Sequence, residues 1–306
     1  MSNYQGQEVG FNIRCILDSS ASGGNFEVPS YLNMQDFTSA DASSMALKDH
    51  VTLKDNRDNQ LYTVAKLEDG NVWMLDNLNL GNIDLWVDLD GSNTNLTGTL
   101  SKDTFNSWRN NLNIYTLDSP GSFTFAPGAD SVSGGAFGTL YNYCATSANT
   151  NCASELLSDT TNDICPKGWK LPSDLDLLKL YNKGYDTVSK MRSPIAGGGL
   201  GVAFAGAFNA TTTGTITGQD GGVAYWSSKS ADSSRVKTMY INTSQINPEQ
   251  YEGRGIGYSI RCIQNKTKSR HSKITPRHHL GVFYRRRFKK CNPSLLRTLG
   301  LSRHYQ

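Results

Sequence analysis

QLYTVAKLEDGNVWMLDNLNL, residues 60–80, decides how the chain is read. Two apolar runs, Leu61 to Leu67 and Val72 to Leu75, flank Asp69-Gly70, a pair suited to the positive φ of a tight turn. The stretch predicts a β-hairpin. It sits in a chain of 306 residues with 37% hydrophobic and 10% aromatic content, enough for a packed core. Twenty-nine glycines and abundant Asn, Ser, Thr and Asp between short apolar runs point to many turns and short strands.

Working outward, the sixty residues after the hairpin read mostly as loop, with FNSWRNNLNIYTL (Phe105 to Leu117) a candidate short helix. DICPKGWKLPSDLDLLKLYNKGY (163–185) has a sharper outline. Ser173 is placed as an N-cap before Asp174, Asp176 and clustered leucines, which predicts a helix of about ten residues ending before Gly184. AYWSSKS, VKTMYIN and GYSIRCI then read as closing strands bounded by turn residues. GGGLG (197–201) lacks the strand, helix and lysine of a phosphate-binding loop and reads as a flexible loop.

The chain carries an internal echo. YQGQEVGFNIRCI (Tyr4 to Ile16) aligns without a gap on YEGRGIGYSIRCI (Tyr251 to Ile263), with seven of thirteen positions identical. Residues 1–16 therefore read as the C-terminal remnant of an upstream repeat and 17–30, small and polar, as a linker. Residues 31–265 form a complete module and 266–306 a basic tail. Of the two copies, the first is expected to be loosely attached and the second buried at the centre of the sheet.

Charge separates the module from the tail. Residues 266–306 hold twelve Lys or Arg and no acid, leaving eighteen basic and twenty-seven acidic residues before them, so a net charge of +3 conceals a body near −9. The tail has the charge of an anionic-surface or nucleic-acid binder, but its abrupt composition reads as a disordered end with no specific nucleic-acid partner. No stretch approaches eighteen apolar residues, so no candidate for a membrane-spanning helix is present. MSNYQGQEVG lacks the basic start and apolar core of a secretory signal, which suggests N-terminal truncation if the module is exported.

No histidine occurs between Val51 and Asn265, which excludes Ser/His and Cys/His nucleophilic arrangements within the module. Paired carboxylates remain: Asp174 with Asp176, or Asp84, Asp88 and Asp90. The first pair complements a helix start and the second lies in DLWVDLDGSNTN, whose spacing does not match an EF-hand and reads as a solvated turn. Six cysteines, with no C-x-x-C pair, argue against zinc, and no metal or cofactor is expected.

LKDNRDNQLYTV, DGNVWMLDNLNL, ICPKGWKLPSDLDL, YWSS and GYSIRC occur in fixed order over Met34 to Ile263. Together they resemble the Fibrobacter succinogenes major paralogous domain. The resemblance implies a secreted or surface-displayed bacterial module, often in tandem, without an agreed enzymatic activity. It also implies an α+β, C-type-lectin-like fold: a twisted antiparallel sheet, one or two helices and long loops. Many members carry a cysteine where this chain has Val72, with a partner upstream where DASSMALKDH has none, so both halves of that bridge are absent together.

Within this frame Cys165 and Cys262 are expected to pair, clamping the helix region to the last strand, with a loop closure contributing roughly 4 to 5 kcal/mol. Cys144 and Cys152 would close a small ring inside a polar loop, contributing roughly 2 to 3 kcal/mol. By the echo, Cys15 corresponds to Cys262. The expected function is a noncatalytic extracellular or cell-surface adhesion or ligand-binding module, its partner a polysaccharide or another cell's surface. A carboxylate-dependent carbohydrate-active enzyme and a structural stalk spacer are the alternatives. Trp226, Tyr240, Asn242, Asn247, Tyr251 and Arg254 are the candidate ligand-binding residues, because aromatic faces beside amides suit sugars, and Asn247 to Arg254 is read as an exposed loop.

Overall fold

The structure, a computed structural model, describes residues 30–80, 85–110, 125–127, 137–148, 160–193, 198–209 and 215–264. Residues 1–29 and 265–306 lie outside these, so the repeat remnant, nearly all of the linker, Cys15, Cys152, Cys291 and the basic tail receive no structural account.

A 3-10 turn (Met34–Asp36) leads into helix α1 (Ser39–Ser44), then strands β1 (His50–Lys54), β2 (Leu61–Lys66), β3 (Val72–Met74) and β4 (Thr94–Asn95). Helix α2 (Lys102–Asn110), β5 (Phe125–Pro127), β6 (Thr139–Tyr141), α3 (Tyr143–Thr146), β7 (Asp163–Pro166) and β8 (Trp169–Lys170) follow. Helices α4 (Asp174–Asn182) and α5 (Val188–Arg192) precede β9 (Ala207–Asn209) and β10 (Thr215–Thr217). The chain closes through β11 (Gly222–Ser230), β12 (Arg235–Asn242), β13 (Ile246–Gly253), β14 (Ile256–Gly257) and β15 (Ile263–Gln264).

The fold is α+β, and every pairing between these strands is antiparallel. Instead of a single sheet, the strands form a five-stranded sheet in the order β1-β2-β3-β15-β8, three-stranded sheets β10-β9-β14 and β11-β12-β13, and two ribbons, β4-β7 and β5-β6. The described residues hold five helices where one or two were expected, three of them six residues or shorter and closed by side-chain caps at Thr38, Asn142 and Thr187.

The hairpin forms as read, with Val64 opposite Met74 and Ala65 opposite Trp73. Its turn is wider than a two-residue one. Leu67 N–H donates to Asn71 O at 2.9 Å, and only Gly70 adopts positive φ (+78°), leaving Asp69 free to act through its carboxylate. That carboxylate accepts from Asn71 Nδ2 at 2.6 Å and from Trp73 Nε1 at 3.0 Å.

Alternate residues of the main strands enter two separate cores. Tyr62, Val64, Val72, Met74, Ala224 and Trp226 face one; Ala65, Leu67, Trp73, Val223, Tyr225, Met239 and Ile241 face the other, where α4 adds Leu177 and Leu180. Burial on both faces explains the continuous apolar runs seen in the sequence. Helix α4 starts where the sequence placed it: Ser173 accepts from Asp176 N–H at 3.1 Å and Asp176 accepts from Ser173 N–H at 3.0 Å, a capping box. Helix α2 begins three residues earlier than Phe105, because Ser101 accepts from Thr104 N–H at 3.2 Å.

The buried turn between β1 and β2 was not legible as core. Arg57 and Asp55 are both solvent-inaccessible and pair bidentately, Nε to Oδ1 at 2.9 Å and Nη2 to Oδ2 at 2.6 Å. Arg57 Nη1 also reaches Ile164 O at 2.7 Å and Thr94 Oγ1 at 3.1 Å, tying the first hairpin to the β4-β7 ribbon. Asp58, beside them, is pushed up to about 7 by burial and then by the Asp55 charge.

Cys165 and Cys262 are disulfide-bonded across 97 residues. Cys144 is disulfide-bonded as well, and Cys152, its expected partner, lies outside the described residues. Replacing both Cys165 and Cys262 by Ala is expected to lower the free energy of urea unfolding by about 4.7 kcal/mol, the loop-closure value for a ring of this length.

A second expectation concerns pH. A folded-state pKa above the unfolded one means that the unfolded chain gives up its proton first, so Asp58 costs stability as pH rises from about 4 to about 7. Buried Asp163, pushed up to about 6, acts in the same direction. Asp58→Asn should therefore raise the melting temperature at pH 8 and raise it by clearly less at pH 5, which parallel thermal melts would measure.

Candidate functional site

The sequence-predicted site residues do not form one surface. Trp226 lies wholly inside: its Nε1 donates to Tyr141 O at 2.6 Å, and its ring packs against Tyr143 and, edge-on, Tyr258 at 5.2 Å. Arg254 is also interior, donating from Nη2 to Ser230 Oγ at 3.0 Å with its guanidinium 5.2 Å from the Tyr143 ring centre. Both expectations are corrected by the same cause: the helix-capped segment around Tyr143 covers them.

The presumed Asn247 to Arg254 loop is mostly strand β13, hydrogen-bonded to β12 with Lys237 opposite Tyr251 and Tyr240 opposite Asn247. Pro248 sits where the register between the two strands shifts, which is where a residue without N–H is tolerated. Asn242 holds the preceding turn by accepting from Ser244 N–H and Gln245 N–H. Asn247 donates to Gln250 Oε1 at 2.8 Å. Tyr251 is exposed (47%) with the Arg235 guanidinium 5.5 Å from its ring centre.

Of the six, Tyr240 lines a cleft. This cavity of about 330 Å3 has walls from Gly206, Gly218, Gly221 and Gly222 and rings from Tyr240 and Tyr258. Two of the glycines follow from close backbone approach: a Cβ on Gly206 would lie 2.4 Å from Thr217 O, and one on Gly222 would lie 2.9 Å from Ile241 O. Gly206 N–H donates to Gly222 O at 2.8 Å, closing the wall.

Tyr258 is fixed by backbone bonds to Tyr141 in both directions, at 2.9 and 2.8 Å, and its hydroxyl is hydrogen-bonded to Glu252. Burial first, and then the Glu252 charge, hold its pKa well above the ordinary phenol range, so it stays a neutral donor. Trp226 thus stands one layer behind the cleft, backing Tyr258. Among the described residues, those lining the cavity include no carboxylate, and Glu252 is hydrogen-bonded to Tyr258 behind it.

A second depression, of about 400 Å3, lies between the β4-β7 ribbon and Ser228 and is lined chiefly by amides, hydroxyls and two lysines. Its residues come from three distant stretches of chain, and none of them was singled out in the sequence.

The chain matches no family model, no curated protein and no solved structure.

The remaining candidates serve local structure. Asp176 closes the α4 capping box and pairs with Lys170 at 2.9 Å, and Asp174 pairs with Lys237 at 2.9 Å. Asp90 accepts from Ser92 N–H at 2.7 Å and Asp88 from Lys102 N–H at 2.9 Å, while Asp84 lies outside the described residues. The glycine stretch, described from Gly198, packs closely: a Cβ on Gly199 would collide with Ser193 O, and Gly201 N–H donates to Ser193 O at 2.8 Å. Among the described residues no helix is long and apolar enough to cross a membrane.

Because Trp226 supports the cleft from the core, Trp226→Ala should destabilise the fold by about 3–5 kcal/mol in denaturant unfolding. A loss under 1 kcal/mol would show that the residue is not the packing centre it is taken to be.

Proposed function

We propose that the chain is a noncatalytic ligand-binding module of extracellular or cell-surface type, built on a C-type-lectin-like scaffold related to the Fibrobacter succinogenes major paralogous domain, and that the tyrosine cleft holds a saccharide. The observation that carries this reading is the cleft itself, a preformed cavity that combines two tyrosine rings with glycine backbone. Aromatic rings offer flat apolar faces to the C–H side of a sugar, while phenol hydroxyls and backbone amides serve its hydroxyls. The Cys165–Cys262 disulfide is consistent with an oxidising compartment.

Hydrolysis of a glycosidic bond by the usual route needs two carboxyl groups flanking the scissile bond. Among the described residues the cleft lining supplies none, which favours binding over turnover. A pure spacer would have no use for a cleft whose tyrosine is backed by a buried tryptophan.

Thr217 lines the cleft and is exposed, so Thr217→Trp fills it without disturbing either core. On a glycan array the wild-type chain should retain one class of saccharide without releasing reducing sugar, and the variant should lose at least tenfold in affinity with its melting temperature preserved. Equal retention by both proteins would discard the cleft as the site, and turnover would discard the noncatalytic reading.

A further inference from the structure

We infer that the polar depression beside the β4-β7 ribbon is a second binding site, for a sugar unit that carries an anionic group. The inference is independent of the tyrosine cleft. Its floor is rigid: Asn95 pairs with Asp163 across the ribbon, and the adjoining Cys165 is anchored by its disulfide.

Charge within the site is unbalanced in a specific way. Asp163, the acid in the lining, is turned into the protein and already engaged, with Oδ1 accepting from Asn95 Nδ2 at 3.1 Å and Cys165 N–H at 2.9 Å, and Oδ2 from Leu171 N–H at 3.1 Å. Lys170 is neutralised by Asp176 at 2.9 Å. Lys167 has its backbone N–H fixed to Asn93 O at 2.8 Å, yet its exposed ammonium makes no ion pair among the described residues.

Around Lys167 and the already engaged Lys170 and Asp163 stand neutral donors and acceptors. Asn162 Nδ2 reaches Thr97 Oγ1 at a weak 3.4 Å, and Ser228, which lines the cavity, has its backbone held by Pro172 O and Thr160 N–H. A free phosphate or a nucleotide would call for several converging cations. One ammonium among amides and hydroxyls instead matches a polyhydroxylated ligand with one negative group, and a cavity of about 400 Å3 admits one or two sugar rings.

The test titrates the full chain, at physiological ionic strength, with trigalacturonate, with 3′-sulfated lactose and with neutral galactotriose, read by calorimetry. The basic tail is the same in every variant, so it cannot produce a difference between them. Either acidic probe should bind in preference to galactotriose, and the stronger of the two identifies the anionic group. Lys167→Gln should weaken that binding about fivefold, the effect of losing one exposed charge pair. Thr97→Trp, which fills the depression, should weaken it at least tenfold, and Thr217→Trp should leave it unchanged. Absence of binding by both acidic probes, equal affinity for galactotriose, or wild-type affinity in both Lys167→Gln and Thr97→Trp would overturn the inference. Failure of the tyrosine cleft alone would show only in Thr217→Trp on the glycan array.

Discussion

The segment from Gly257 to Gln264 is the tie on which the remaining architecture depends. It pairs in turn with Phe208 through Gly257, with Tyr141 through Tyr258 and with Tyr225 through Ser259. Leu78 N–H then donates to Ile260 O at 2.8 Å, Met74 N–H to Cys262 O at 3.0 Å, and Ile263 inserts between Trp73 and Lys170. Eight residues therefore join both three-stranded sheets, the β5-β6 ribbon and the five-stranded sheet. Arg261 extends the tie sideways, donating to Asn77 Oδ1 at 2.9 Å and Leu200 O at 2.8 Å. A disulfide placed in this segment constrains the contacts with the highest closure entropy.

A second tie is polar. Arg57 and Asp55 satisfy each other in two directions, and the two Nη1 hydrogens are spent on Ile164 O and Thr94 Oγ1. Such a pair contributes little to net stability compared with apolar packing, because desolvation offsets most of the attraction. It does fix register, since a guanidinium buried without its carboxylate would be far more costly. The hairpin turn consequently cannot shift against the β4-β7 ribbon, whose far side forms the polar depression.

Local signals in the sequence were reliable where the chain decides its own structure within a few residues. Asp69-Gly70 marked a hairpin, Ser173 to Asp176 marked a helix start, and the runs at 224–230 and 236–242 marked strands, all of which the structure contains. Failures arose where distant partners decide. INPEQYEG is polar and holds a proline, so nothing local distinguishes edge strand β13 from a loop; β12 alone makes it a strand. GYSIRCI was read as one closing strand but is split between β14, isolated bridges and β15, because each stretch of it answers to a different partner. In the echoing YEGRGIGYSIRCI, burial accordingly begins in earnest only at Gly257, while Tyr251 stays exposed. The buried charged turn at Asp55–Asp58 left no mark in the sequence, because pairing across the core leaves no periodic trace.

The same distinction explains why the tyrosine cleft was half legible and the polar depression was not. Tyr240 and Tyr258 belong to closing segments whose aromatic character is visible, whereas Asn95, Asn162 and Ser228 are ordinary polar residues until three stretches of chain are brought together. Trp226, one of the candidate ligand residues, packs against Tyr258 from behind, with its indole N–H held by Tyr141 O. A surface tryptophan would offer more contact area to a sugar but would keep its side-chain freedom until binding, and ordering it then costs roughly 0.5–1.5 kcal/mol. Placing the larger ring in the core and the smaller at the cleft moves that cost into folding, so the Tyr258 ring at the cleft is already held in position.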